Sequence, residues 1–144
     1  MTDPTKIAAT RFDQGFNCSQ SVLSAFATQL AIPEDLALRL ASPFGGGVAR
    51  RGHICGAVSG ALMALGAGRG ADLPAKKEET YRLGQELLKA FEGRRGTLLC
   101  RELIGFDLST PEGWRRAKEK GVFKTICPGV VRDAVEITQE LLNR

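Results

Sequence analysis

The sequence predicts an all-α bundle of about five to seven helices, one domain spanning residues 1–144. Three observations lead there. Apolar residues recur at helical spacing along most of the chain. Capping residues and prolines open those stretches, and glycines or prolines close them. No stretch alternates apolar and polar residues over enough positions to make a strand.

Ile7, Ala8 and Phe12 give a helical stripe between Asp3 and Asp13, interrupted by Gly15. Asn17 reads as an N-cap with Gln20 three residues on, which makes Cys18 the first residue of a second helix. Val22, Leu23, Phe26 and Leu30 form its inner face, and Pro33 ends it. Pro33-Glu34-Asp35 opens a third helix, expected to turn Leu36, Leu40 and Ala41 inward, and Ser42-Pro43 stops it. Three consecutive glycines, Gly45, Gly46 and Gly47, then permit positive φ and a close approach of backbone to another group.

Ile54 to about Gly66 reads as a helix of small residues at 56, 57, 60, 61 and 64, close-packed and central. A loop is expected from Gly66 to Leu73. Pro74 to Glu92 is a long amphipathic helix with Tyr81, Leu83, Leu87, Leu88 and Phe91 inward, broken by Gly93-Arg94-Arg95-Gly96. Thr97 caps a short helix holding Leu98, Leu99, Cys100, Leu103 and Ile104, which Gly105 ends. Thr110-Pro111 opens a basic helix through Lys120, and Cys127-Pro128 opens the last, whose apolar face runs from Val130 to Leu142.

A chain of 144 residues buries enough surface to fold without staples. No signal peptide or membrane span is legible, so a cytoplasmic location is expected, where thiols stay reduced. The formal charge is +4, but the basic pairs Arg50-Arg51, Lys76-Lys77, Arg94-Arg95 and Arg115-Arg116 are scattered, and one Trp and one Tyr make a poor stacking surface. Nucleic acid and membrane are therefore not expected partners. The expected partners are a redox protein and, in a homo-oligomer, a second copy of the chain.

Cys18, Cys55, Cys100 and Cys127 all fall within a turn of an expected helix start. Free N–H groups and the positive dipole end there favour the thiolate, the form that attacks disulfides and binds metals. The competing reading is plain packing, since free cysteine behaves as a small hydrophobe, and Cys100 among leucines fits it best. The spacings contain no C-x-x-C pair, so a shared site has to be assembled from distant parts of the chain. His53 stands two residues before Cys55, placed to act as an extra ligand or a base, and Arg50 and Arg51 lie where they can favour its thiolate. The triple glycine lacks a following Gly-Lys-Ser/Thr and is no phosphate loop. A single histidine leaves Cys/His hydrolysis poorly supported.

With Asn17-Cys18-Ser19-Gln20, Phe44-Gly45-Gly46-Gly47, Cys55-Gly56-Ala57-Val58-Ser59-Gly60, Cys100 and Cys127, the chain resembles the C_GCAxxG_C_C family, named for its four cysteines. The central block here reads Cys-Gly-Ala-x-x-Gly, with the first two residues transposed. The resemblance implies an all-helical fold and a redox role for the cysteines.

Three function classes follow. Cys18, Cys55, Cys100 and Cys127 are four thiolates, the usual ligand set of an iron–sulfur cluster, with N–H groups of the glycine segment and of Gly56 available to its sulfurs. The same four can hold zinc without redox change. With no cofactor at all, they serve as redox thiols, Cys18 and Cys55 forming an exchange pair and Cys100 and Cys127 a second pair or part of the core. The third class is a non-catalytic helical interaction module with structural cysteines.

Overall fold

The computed structural model describes residues 3–144. Among them run nine α-helical segments: α1 (Pro4–Asp13), α2 (Cys18–Ala25), α3 (Glu34–Ala41), α4 (Gly56–Arg69), α5 (Lys77–Arg95), α6 (Cys100–Ile104), α7 (Pro111–Lys120), α8 (Val122–Thr125) and α9 (Cys127–Leu142). Single 3₁₀ turns precede the glycine segment and α5. Helices α6 and α8 are one-turn pieces, and the other seven are eight residues or longer, at the upper end of the expected count. The only β-type pairing among the described residues is an isolated antiparallel bridge between Ile54 and Leu99. No helix among them is long and apolar enough to cross a membrane.

Helices α2 and α4 form the centre. Helix α2 packs on α1, α3, α4 and α9, and α4 packs on α2, α5 and α9. Both helices carry small residues at their contact. Ser19, Ser21 and Ser24 of α2 are buried, as are Gly56, Ala57, Gly60, Ala61 and Ala64 of α4. The close approach is measurable. A Cβ at Gly60 would lie 2.6 Å from the Ser19 carbonyl oxygen, and one at Gly56 would lie 2.6 Å from that of Phe44. Phe26, Leu87, Phe91, Val130 and Val131 fill the main core around this pair.

Gly60→Ala is therefore expected to destabilise the fold by roughly 1–3 kcal/mol, the cost of overpacking against rigid backbone. That outweighs alanine's better helix propensity of about 1 kcal/mol. Gly84→Ala in α5 is the matched control, because its nearest neighbour is the end of Leu62 at 3.7 Å. Chemical denaturation should show the two substitutions moving stability in opposite directions.

Several boundaries differ from the sequence-based reading. Helix α2 stops at Ala25, and residues 26–32 follow as irregular turns. Helix α4 runs past Gly66 to Arg69. Helix α5 continues through Gly93 because Arg94 and Arg95 reach α9: Arg94 meets Asp133 and Glu136 at 3.2 and 2.8 Å, and Arg95 meets Asp133 at 2.6 Å. Gly96, at φ 83°, ends it. Thr97 caps no helix; its hydroxyl accepts from the Leu99 N–H, and Leu99 is the N-cap of α6.

Leu36, Leu40 and Tyr81, expected inside, are exposed. Helix α3 instead buries Ala37 and Ala41. These short side chains hold α3 against α2, where the Gln20 side chain donates to the Leu38 carbonyl and Asn17 to that of Ser42. Once the alanines face inward, the phase of the helix leaves Leu36 and Leu40 outside.

Candidate redox site

Each cysteine sits at a helix start. Cys18 is the first residue of α2, behind a complete capping box in which Asn17 accepts from the Gln20 N–H and the Gln20 side chain accepts from that of Asn17. Cys55 is the N-cap residue of α4. Cys100 and Cys127 are the first residues of α6 and α9. All four are free thiols, Cys55, Cys100 and Cys127 buried and Cys18 partly so.

Tertiary structure brings them together. The segment before α4 pairs with the segment before α6: the Cys55 N–H donates to the Leu98 carbonyl and the Cys100 N–H to that of His53, both at 2.8 Å. Close packing of α2 on α4 then brings Cys18 beside Cys55, with the Cys18 Cβ only 3.5 Å from a Cβ built on Gly56. Helix α9 adds Cys127. Cys18, Cys55 and Cys127 share one cavity wall, close enough for their thiols to shift one another's proton affinity.

The three sulfurs share protons unequally. Its bonding to Cys127 and then to Cys55, together with burial, pushes the Cys18 thiol well up. The same bonding lowers Cys55, helped by the backbone N–H groups of Ala57 and Val58 and by the charge of Arg95. It lowers Cys127 as well, against burial and the neighbouring Cys55 charge. Cys18 is thus held towards the thiol while it favours the thiolate forms of Cys55 and Cys127. Cys100 stands apart: burial, then the charges of Cys55 and Cys127, push it up to about 12. It packs with Ile104, Leu108 and Ala117 in a second, smaller apolar cluster.

All four cysteines line one cavity of about 1270 Å³ at the seam between the two clusters. The glycine segment forms part of its wall. Residues 46 to 50 all have positive φ, between 48° and 72°, and three of them are not glycine: Val48, Ala49 and Arg50. Left-handed backbone costs such residues roughly 1–2 kcal/mol each. Bonds from the Ala49 N–H to the Pro43 carbonyl and from the Arg50 N–H to that of Gly45 hold the turn. Its product is the placement of Arg50, whose guanidinium lies 3.9 Å from the ring centre of Trp114. The sequence showed the glycines but gave no signal for the left-handed run beyond them, nor for Trp114 and Phe123, which pack together at 5.1 Å beside the cavity.

Of the other candidate residues, Gly45, Gly46 and Gly56 line the cavity. Gly47 is buried behind it, against Cys100 and the His53 backbone. His53 itself is exposed and outside the wall, and contributes its main chain to the pairing that positions Cys100. No group of three or more His, Cys, Asp or Glu side chains among the described residues is arranged to hold a metal ion.

Fold and site together define an all-helical protein with four free cysteines gathered from four helix starts. The chain belongs to the family described as Putative redox-active protein (C_GCAxxG_C_C), which matches residues 16–141. No curated protein and no solved structure matches it. The family name places a cysteine where this chain has Gly56. There a Cβ would meet the Phe44 carbonyl oxygen at 2.6 Å, so in this fold the sulfur fits one residue earlier, at the N-cap.

Proposed function

We propose that the protein is a thiol–disulfide redox protein with Cys18 and Cys55 as its exchange pair. The observation that supports this reading is the convergence of Cys18, Cys55 and Cys127 on one cavity, with Cys18 beside Cys55 where α2 packs on α4. Disulfide formation requires two sulfurs side by side, and a lowered pKa favours the attacking thiolate. The Cys55 thiolate attacks one sulfur of a substrate disulfide, the substrate S–S bond breaks, and the departing thiolate takes the Cys18 proton. The Cys18 thiolate then attacks Cys55 in the mixed disulfide and expels the second substrate thiolate, which is protonated by water. The substrate gains two electrons and the protein holds a Cys18–Cys55 disulfide. Cys127 competes for the Cys18 thiol, and Cys100 stays protonated.

A second reading is favoured by the convergence of all four cysteines on one cavity. Four thiolates suit an iron–sulfur cluster or, without redox change, zinc. One experiment separates the readings. Protein purified without oxygen is assayed for iron and zinc and by visible spectrum. Its thiols are then alkylated before and after oxidation and weighed by mass spectrometry. The exchange reading expects a colourless, metal-free protein that gains one Cys18–Cys55 disulfide. Stoichiometric iron with visible charge-transfer bands replaces it with the cluster reading. Inert, metal-free thiols would overturn both.

A further inference from the structure

The cavity above the cysteines is charged in a way the sequence hides. Its wall carries five cations, Lys6, Arg50, Lys118, Lys124 and Arg132, and a single acid, Asp13. That excess equals the formal +4 of the whole chain, so the remaining surface is balanced. Seven arginines elsewhere are in ion pairs, among them Arg11 with Glu34, Arg94 and Arg95 with Asp133 and Arg144 with Glu86, while Arg51, Arg69, Arg101 and Arg116 are in none among the described residues. None of the five cavity cations is in an ion pair among the described residues. Between the cations the wall is apolar and aromatic, with Phe12, Leu103, Trp114 and Phe123. An apolar pocket with a few convergent charges and thiols on its wall is the form of a small-molecule site.

We propose that this cavity binds a small, anionic organic disulfide with apolar or aromatic groups. Carboxylate or similar anionic groups meet the lysine and arginine wall, the apolar part lies along Trp114 and Phe123, and the S–S bond faces the Cys18–Cys55 pair. This deepens the thiol-exchange reading and rests on it. Unpaired cations around a low-dielectric cleft also raise the local concentration and arrival rate of an anion.

The test compares two disulfide reagents that release coloured thiols, 5,5′-dithiobis(2-nitrobenzoate), which carries two carboxylates, and uncharged 4,4′-dithiodipyridine. Wild-type protein and the Lys118→Glu/Lys124→Glu variant, matched for thermal unfolding, are reacted with each. The expected result is saturable reaction with the anionic reagent and a loss on the order of tenfold or more in the variant, against little change for the uncharged one. About 0.5 M salt should remove most of the difference. Equal effects on both reagents overturn the anionic substrate while leaving thiol exchange standing. No reaction of wild-type protein with either reagent overturns thiol exchange. The anion site is then decided separately by quenching of Trp114, the sole tryptophan, with 2-nitrobenzoate. Quenching that the charge reversal abolishes supports the site, and unaltered quenching refutes it.

Discussion

Cys18→Ala is expected to take the number of disulfides the protein can form on mild oxidation at this pair from one to none, and to slow alkylation of both Cys55 and Cys127 at neutral pH. The sign follows from the site. Cys55 and Cys127 are lowered chiefly by bonding to Cys18, so removing that S–H makes each thiolate harder to form. Their pKa values rise, and the increase of alkylation rate with pH moves to higher pH. Each tenfold fall in rate at fixed pH corresponds to about 1.4 kcal/mol of lost thiolate stabilisation. Cys100→Ala is the contrasting variant, since Cys100 bonds to neither sulfur and is held protonated by burial. It should leave the pH profile of the other thiols nearly unchanged and cost only packing. Rates of iodoacetamide labelling across pH 5–10, resolved by peptide, decide the matter. An unchanged profile in Cys18→Ala would mean that Cys18 is not the proton donor of the group.

Gly47→Ala should cost the fold several kcal/mol, roughly the sum of a left-handed backbone and an overlap with rigid backbone. The residue has φ 72°, and a Cβ there would lie 2.6 and 2.7 Å from the His53 nitrogen and oxygen and 2.8 Å from the Cys100 Cβ. Left-handed backbone costs alanine roughly 1–2 kcal/mol. Overlap with backbone that cannot rotate away adds roughly 1–3 kcal/mol. Gly96→Ala isolates the first effect: its φ is 83°, with nothing within 4 Å of the added carbon. Urea unfolding should show Gly47→Ala falling well below Gly96→Ala. The same clash pushes Cys100 away from the His53 carbonyl, so Cys100 should become open to alkylation in folded protein. Equal stability of the two variants would show that the glycine segment does not lock Cys100 in place.

Much of the helical framework is local and was readable in the chain. The Asn17–Gln20 capping box, Thr110-Pro111 and Cys127-Pro128 each fix a helix start through bonds and φ angles within a few residues. That local chemistry put Cys18 and Cys127 at helix starts, whereas Cys55 and Cys100 begin helices that have no side-chain cap. Small residues at 56, 57, 60, 61 and 64 marked α4 as close-packed, because only another backbone can fill the room they leave. Helix rotation was less legible: Leu36, Leu40 and Tyr81 satisfy an apolar pattern, but the side that packs is chosen by which neighbours approach, and α2 accepts the alanines of α3. Helix α5 likewise outlasts Gly93 through ion pairs to residues 133 and 136, far along the chain.

The sequence by itself determined an all-helical chain with four cysteines at helix starts, since capping, proline placement and hydrophobic period act over three to five residues. Tertiary structure alone decided that those cysteines share one cavity, that Cys18 lies near Cys55 and Cys127, and that scattered lysines and arginines gather on the cavity wall. These are contacts between residues tens of positions apart. They depend on how closely α2, α4 and α9 pack, and that closeness is set by glycine and serine backbone whose partners no local pattern names.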